Sequence, residues 1–159
     1  MQPPSLPPAD PRYHVAQVNV ARVLAPLDSP RLRDFMDGLA PVNALADRSP
    51  GFVWRLQTES GDATAIRPYE DDLVMVNLSV WRSLGELWDF VYVSRHLDYM
   101  RRRREWFERL DPYLALWWVP AGTLPGVEDA KQRLDCLRRD GPGPRAFTFR
   151  AAWAPPARG

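Results

Sequence analysis

The chain has 159 residues, 45% of them hydrophobic and 26% charged, which is typical of one globular domain. Basic and acidic side chains nearly cancel at a formal net charge of +1, so the molecule as a whole has no field to hold a nucleic acid. The single cysteine, Cys136, excludes an intramolecular disulfide and a zinc site built from thiolates.

The N-terminus has the composition of an arm rather than of a signal or an anchor. Residues 1–12 contain five prolines and no apolar period, which predicts a flexible or strap-like segment. They lack the apolar stretch of a secretory signal, and no apolar run in the chain approaches the ~20 residues of a membrane span. We therefore expect a cytoplasmic protein with no membrane partner, made of one domain at 13–151 and a short tail at 152–159.

The first half of the domain predicts three strands and one helix. Apolar alternation predicts a strand at 13–21, and Ser29 before Pro30 is typical of a helix start. Apolar residues then recur at helical spacing, but Pro41 should kink or divide this helix because it has no N–H to donate. Strands two and three are predicted at 52–57 and 73–81.

The second half begins with a capping box. Ser83 and Glu86 have the S-x-x-E spacing, which predicts a helix that should break near Ser94. A second helix is predicted from Arg95 to Leu110. The remaining predicted elements are a strand at 113–119, a helical region at about 123–139 and a short fifth strand within 146–153.

This order of elements predicts an α+β fold of the ferredoxin-like kind, with an antiparallel sheet and helices on one face. The third strand, LVMVNLSVW, is apolar on both of its alternating faces, as strands buried on both sides are. If the helices cover one face, an identical sheet from a second copy would cover the other. The sequence therefore predicts a homodimer, a dimeric α/β barrel.

Polar residues interrupt one of these apolar faces. Asn77 lies on the same face of the third strand as Trp81, and Gln17 and Asn19 share a face of the first strand. We expect these two strands to lie side by side and parallel, which would bring Asn19 near Asn77. Buried amides need partners, so they either bond to each other, cap the ends of the sheet or line a pocket.

The segment HLDYMRRRREWF, residues 96–107, places four arginines in a row. At ~100° per residue, Arg103 falls within the apolar stripe that Met100 and Phe107 form, while Arg101 and Arg102 point away. A desolvated guanidinium needs a carboxylate, a ligand anion or a route to solvent. His96 precedes Arg103 by two helical turns and lies on the same line.

The motifs of most cofactor and metal sites are missing from the sequence. It has no glycine-rich dinucleotide loop, no phosphate-binding loop and no nucleophile elbow. Its two histidines are far apart and have no carboxylate cluster beside them. We therefore predict no cofactor and no metal site.

The segment VNLSVW followed by SLGELWDF is similar to the antibiotic-biosynthesis monooxygenases of the dimeric α/β-barrel superfamily. The chain resembles most closely an uncharacterised bacterial domain family of that superfamily, in which segments like QVNVARVLAPLDSP, NALADRSPGFVWRL and RRREWFERL recur. The resemblance covers about His14 to Phe149.

The resemblance implies a cofactor-independent oxidation of an aromatic or polyketide-like phenol. In that group an asparagine and a tryptophan four residues later line the pocket, and Asn77 and Trp81 have this spacing. His96 and Arg103 complete the predicted catalytic set. One or the other would transfer the proton or stabilise the negative charge of the substrate. The predicted substrate-binding residues are Asn19, Trp54, Trp88, Met100 and Phe107.

The same superfamily implies alternatives. Its haem-degrading members use a strand asparagine, a helix tryptophan and a helix histidine as iron ligand, for which Asn19, Trp88 and His96 are the nearest residues. The expected ligand position falls near Met100, four residues after His96. Isomerases, cyclases and plain small-ligand-binding proteins share the fold as well.

Overall fold

The computed structural model describes residues 4–58, 61–64, 66, 68–108 and 113–157. Its helices and strands are β1 (Tyr13–Arg22), a 3₁₀ turn (Pro30–Leu32), α1 (Arg33–Asp47), β2 (Phe52–Arg55), β3 (Val74–Trp81), α2 (Leu84–Tyr92), α3 (His96–Arg101), α4 (Arg103–Trp106), β4 (Leu114–Pro120) and α5 (Val127–Asp140).

The four strands form one antiparallel sheet in the order β2-β3-β1-β4. This confirms the predicted α+β, ferredoxin-like architecture. The prediction that β1 and β3 run parallel is wrong. The crossover through α1 makes β1 and β2 parallel to each other, and β3 lies between them and antiparallel to both. The register nevertheless places Asn19 directly opposite Asn77.

Helices α1 to α4 lie on one face of the sheet, which we call the cavity face. Val15, Trp81 and Leu116 point to this side, where they pack with residues of α2 and with Ala46 of α1. A third cluster, around Leu32 and Trp106, joins α1 to α4 at the far end of the same face.

The opposite face, which we call the α5 face, is also covered. Ala130, Leu134 and Leu137 of α5 are at most 4% exposed and pack on the alternate residues of β1, β3 and β4. Ile66 and Tyr69, from the connection between β2 and β3, pack on the same cluster. The prediction of helices on one face alone is therefore wrong for α5, and the apolar face that suggested a second copy is covered within the chain.

Three local predictions need correction. The helix α1 runs through Pro41 undivided; Pro41 and Asp37 are exposed, so water can replace the lost hydrogen bond. The helix predicted at Arg95–Leu110 is two short helices separated at Arg102, and its last two residues lie outside the described part of the chain. The predicted fifth strand contributes one isolated bridge, between Phe147 and Leu116.

Both termini lie against the domain where the structure describes them. Leu6 of the arm packs on the cluster of the cavity face. In the tail, the carbonyl of Trp153 accepts a hydrogen bond from Nε1 of Trp118 at 2.8 Å. None of the helices in the described ranges is long and apolar enough to cross a membrane.

Candidate active site

A cavity of about 420 Å³ lies between the cavity face of the sheet and helices α1 to α4. Its volume is within the range of small-molecule sites, roughly 300–1,000 Å³. Apolar and aromatic side chains make up most of its wall, and polar groups are concentrated on the sheet, which forms its floor. These polar groups, and the ionisable groups around the rim, determine what the cavity can bind.

A line of hydrogen-bonded side chains crosses the floor from β3 to β1. Nε2 of Gln17 donates to Oδ1 of Asn77 at 2.5 Å and to Oγ of Ser79 at 2.8 Å. Nδ2 of Asn19 donates to Oε1 of Gln17 at 3.2 Å and to Oδ1 of Asn77 at 3.4 Å. We call these four residues the amide ladder. Two of the alternatives that the sequence left open apply at the same time: the amides form hydrogen bonds with each other, and they line a pocket.

Trp81 joins the ladder to an aromatic wall. Its Nε1 donates to Oγ of Ser79 at 2.9 Å, and its ring is 1% exposed. Phe90 stacks on it with ring centroids 5.0 Å apart, and Phe52 packs edge-on at 5.5 Å. The indole is therefore held in one orientation at one end of the floor.

His96 lies beside this wall and lines the cavity. Its Nδ1 contacts the carbonyl of Val91 at 3.2 Å, and its ring packs on Phe90 at 5.0 Å. A carbonyl only accepts hydrogen bonds, so Nδ1 carries the proton and Nε2 is left as an acceptor. Burial lowers the pKa of His96 below its ordinary value, and the contact with Val91 only partly opposes this. The ring is thus neutral at pH 7 and has the form of a general base.

The position of His96 follows from the way α2 ends. The carbonyls of Phe90 and Val91 lie in the last turn of α2, where helical N–H donors run out. Oγ of Ser94 donates to the carbonyl of Phe90 and accepts from the backbone N–H of His96. Nδ1 of the His96 imidazole donates to the carbonyl of Val91. The helix break predicted near Ser94 therefore sets the tautomer of His96.

Three of the four arginines, Arg102 to Arg104, lie in two different environments. Arg102 forms ion pairs at 2.8 Å with Asp34 of α1 and with Glu105, and its guanidinium lies over the ring of Trp106. Arg103 and Arg104 are exposed and line the cavity. The sequence assigned Arg101 and Arg102 to the surface and Arg103 to a core or cavity. Arg103 lines the cavity but is exposed, whereas Arg102 is half-buried in its ion pairs.

Within the described residues, Arg103 has no carboxylate partner. Its guanidinium lies over the ring of Tyr113, 5.6 Å from the centroid. Arg55, which lines the cavity from β2, is paired with Asp47 at 2.7 Å, and the rim carboxylate Glu108 is paired with Arg22 at 2.7 Å. Arg103 is therefore a positive charge near the cavity that these acids do not neutralise.

Met100 and Phe107 line the cavity, whereas Trp54 and Trp88 do not. A β-bulge between Phe52 and Trp54 turns Trp54 to the α5 face, where it packs with that cluster. Trp88 is 5% exposed and packs against Tyr92 and Phe149 in the core. Their predicted role in substrate binding is wrong for this cavity, because neither ring faces it.

Several cavity residues escaped the sequence prediction. Ser79 and Gln17 were placed on the correct faces but were not predicted as site residues, although they connect the ladder. Tyr99 and Gly38 meet where α3 crosses α1: a Cβ built on Gly38 would lie 2.5 Å from Cζ of the Tyr99 ring. The one signal available in the sequence was a glycine inside a helix, which often marks a close approach.

A resident metal has no obvious ligand set here. No group of three or more histidine, cysteine or acidic side chains gathers anywhere in the described part of the chain. The cavity instead combines a neutral imidazole, an amide ladder, an aromatic wall and an unneutralised guanidinium. Such a set can take a proton from an aromatic ligand and stabilise the anion that results.

The comparisons with solved structures found distant similarity. A cofactor-independent oxygenase, SnoaB from Streptomyces nogalater, is 22% identical, with a TM-score of 0.43, and the match covers 71% of this chain and 98% of that one. A Nitrosomonas europaea protein described provisionally as an antibiotic biosynthesis monooxygenase is 13% identical, with a TM-score of 0.46, and the match covers 74% and 97%. PA3566 from Pseudomonas aeruginosa is 13% identical, with a TM-score of 0.42, and the match covers 75% and 97%.

No curated protein matches the chain. A family profile described as "Domain of unknown function (DUF3291)" matches residues 14–159, nearly the whole sequence. This confirms the predicted resemblance to an uncharacterised domain family. The chain belongs to the DUF3291 family.

Proposed function

We propose that the protein is a small-molecule enzyme, a cofactor-independent monooxygenase that acts on an aromatic or polyketide-like phenol. One observation carries the proposal. His96 is half-buried and neutral with Nδ1 engaged, and its ring lines the same cavity as Asn77 of the amide ladder. A base and an amide donor around one cavity are what the first step of such an oxidation needs.

In the proposed reaction, Nε2 of His96 removes a proton from the bound phenol. The negative charge develops near Asn77, whose amide donates a hydrogen bond, and near the guanidinium of Arg103. Trp81 bounds the aromatic ring, and Met100 and Phe107 close the cavity above it. The electron-rich anion then reacts with dioxygen at a ring carbon conjugated with the phenolate oxygen. That C–H and the phenolic C–O⁻ both become C=O, so one oxygen atom enters the quinone product and the other leaves as water. The substrate supplies the electrons, so no reductant is required.

The test is oxygen uptake with a panel of anthrone- and quinol-type phenols, with isotope-labelled dioxygen to trace the atom in the product. We expect His96→Gln to lower kcat by about 10²–10⁴-fold, the usual contribution of a general base. Asn77→Ala and Trp81→Phe should also slow the reaction. His14→Gln is the matched control, since His14 lies on β1 with its side chain toward the α5 face. Uptake that is unchanged in the His96 and Asn77 variants would contradict the assignment.

The alternative is a ligand-binding or haem-binding protein of the same fold without turnover. It rests on the same imidazole, whose Nε2 has no hydrogen-bond partner among the described residues and is available to a ligand. Titration with haemin tests it directly. A Soret band that appears with the wild type and is lost in His96→Ala would favour haem binding over the oxygenase. Turnover of the phenols without oxygen uptake would favour an isomerase or a cyclase.

The homodimer stays a prediction. The prediction was based on an uncovered apolar face of the sheet, and α5 covers that face. The cavity is built from β1, β3 and helices α1 to α4 of a single chain. The residues assigned to the proposed reaction all belong to one chain, and the mass of the particle is tested separately.

A further inference from the structure

The hydrogen bonds of the amide ladder determine which of its atoms are free to bind a guest. Oδ1 of Asn77 accepts from both Gln17 and Asn19. The two hydrogens of the Asn19 amide go to Gln17 and to Asn77. The two hydrogens of the Gln17 amide go to Asn77 and Ser79. The ladder uses these donors and acceptors internally, and its orientation is fixed at one end by the indole of Trp81.

Two polar groups of the ladder asparagines stay unused. Nδ2 of Asn77 donates to no group in the described residues, and Oδ1 of Asn19 accepts from none. The two side chains are directly opposite each other on antiparallel strands, and both line the cavity. Asn77 is exposed within it. The floor therefore offers one free amide donor beside one free carbonyl acceptor.

We infer that this pair selects the substrate class: a 1,3-dihydroxyaromatic, or resorcinol-type, phenol bound as its monoanion. One oxygen, ionised, would accept from Nδ2 of Asn77, and the other, still a hydroxyl, would donate to Oδ1 of Asn19. Opposite residues on paired strands have Cβ atoms about 4.5–5.5 Å apart. The two oxygens of a 1,3-diol are far enough apart to reach both side chains. The two oxygens of a 1,2-diol are closer together and form a hydrogen bond to each other.

This inference rests on the proposed function for the anion, which His96 would generate. It adds one requirement: the guest must carry one hydrogen-bond acceptor and one hydrogen-bond donor. A guest with two acceptors, such as a dimethoxyarene, would face the carbonyl of Asn19 with no hydrogen to donate. An unpaired polar group on a mostly apolar surface is costly, so such a guest should be rejected.

The experiment measures binding without turnover, by calorimetry under anaerobic conditions. The probes are 1,3-dihydroxynaphthalene, 1,2-dihydroxynaphthalene and 1,3-dimethoxynaphthalene. Two hydrogen bonds of ordinary strength correspond to about ten-fold or more in Kd, so the 1,3-diol should bind at least about ten-fold tighter than either relative. Asn77→Ala and Asn19→Ala should each reduce this preference to near unity. Asn43→Ala is the matched control, because Asn43 lines the cavity from α1, away from the ladder.

The outcomes separate this inference from the proposed function. Preference for the 1,3-diol that depends on Asn19 and Asn77 supports the inference even if no oxygen is consumed. Equal binding of the three probes would overturn it, as would a preference that survives both ladder substitutions. Thermal unfolding of each variant identifies any loss of binding that comes from misfolding; Asn77→Ser, which keeps a small polar side chain, replaces Asn77→Ala if the latter does not fold.

Discussion

His96 and His14, the two histidines of the chain, lie in different surroundings. His14 projects from β1 toward the α5 face, and its buried Nδ1 has no hydrogen-bond partner among the residues that the structure describes. His96 has Nδ1 on the carbonyl of Val91 and packs on Phe90. Because burial of His96 disfavours its charged form, the folded protein keeps this imidazole neutral to a lower pH than an exposed one.

We expect His96 to titrate below the ordinary histidine value of about 6.5. The measurement is an NMR titration of the imidazole signals, and His14→Gln identifies which signal belongs to His96. The shift also affects stability. As the pH falls, the unfolded chain binds its proton first, so the stability from the neutral ring is complete above about pH 6.5 and is lost as the pH drops through the lower, folded pKa. A normal or raised pKa of His96 would contradict the apolar surroundings that the structure gives its ring.

Gly38 allows the ring of Tyr99 to pack closely against α1 beside the cavity. It lies inside α1, and a Cβ at this position would be 2.5 Å from Cζ and 2.7 Å from Oη of Tyr99. Gly38→Ala should destabilise the fold by about 1–3 kcal/mol through overpacking and move the Tyr99 ring toward the cavity. The measurement is the free energy of unfolding in urea. In the Tyr99→Ala background, Gly38→Ala should reduce the free energy of unfolding much less than it does in the wild type, because the clashing ring is gone. If the effects of the two substitutions simply add, this contact is not the cause of the loss.

At the scale of single residues, the sequence predicted the features that strand alternation determines. Asn19 and Asn77 share a face because side chains alternate along a strand. Arg102 lies at the break between α3 and α4, so the periodicity of one continuous helix does not determine its position relative to Arg103. Trp54 could not be placed by alternation either. A β-bulge adds one residue to β2 and reverses the faces after it, and no pattern in FVWR marks it.

The helix α2 shows how local signals fix an element. Oγ of Ser83 accepts from the backbone N–H of Glu86 at 3.2 Å, and the Glu86 carboxylate accepts from the serine hydroxyl at 3.0 Å. The carboxylate also reaches Arg82, and the Glu86 side chain lies against Gly51, whose φ is +83°. The cap therefore connects α2 to the turn before β2.

Ser83→Ala should cost about 1 kcal/mol of unfolding free energy, because the N–H of Glu86 loses its acceptor at the start of α2. Since α2 carries Phe90 and ends at the turn that holds His96, a weaker cap should also loosen the aromatic wall. Ser83→Thr, which keeps the hydroxyl, is the matched control and should stay near the wild type. Equal stability of the alanine and threonine variants, from thermal unfolding, would show that the cap contributes little.

Elements whose signals are local were predicted well, and those that depend on distant contacts were not. The capping box and Ser94 located both ends of α2 within the sequence itself. The face that α5 covers could not be predicted, because its apolar residues fit either side of the sheet. The direction of β1 against β3 was also missed, since it depends on which strand lies between the parallel pair and not on the residues of either strand.

On the scale of the whole molecule, α5 converts a half-covered sheet into a three-layer domain. Leu134 is fully buried between α5 and the sheet, and Leu137 is 4% exposed. Leu134→Ala should reduce the free energy of unfolding by about 2–5 kcal/mol, the usual range for a buried leucine. Gln132→Ala, on the outward side of the same helix, is the control and should have little effect. A small loss at Leu134 would mean that α5 is not held on this face.

The position of α5 also bears on assembly. In a barrel of two sheets, the α5 face of each copy would pack on its twin, which requires α5 to leave the sheet. With α5 in place, the outward side of that helix, which includes the exposed Gln132 and Asp135, is the surface that this face presents to another molecule. We therefore expect light scattering to give the same mass for the wild type and for the double variant Gln132→Arg with Asp135→Arg, whether that mass is of one chain or two. A dimer that dissociates on this change would place the interface on the outward side of α5 and would contradict this expectation.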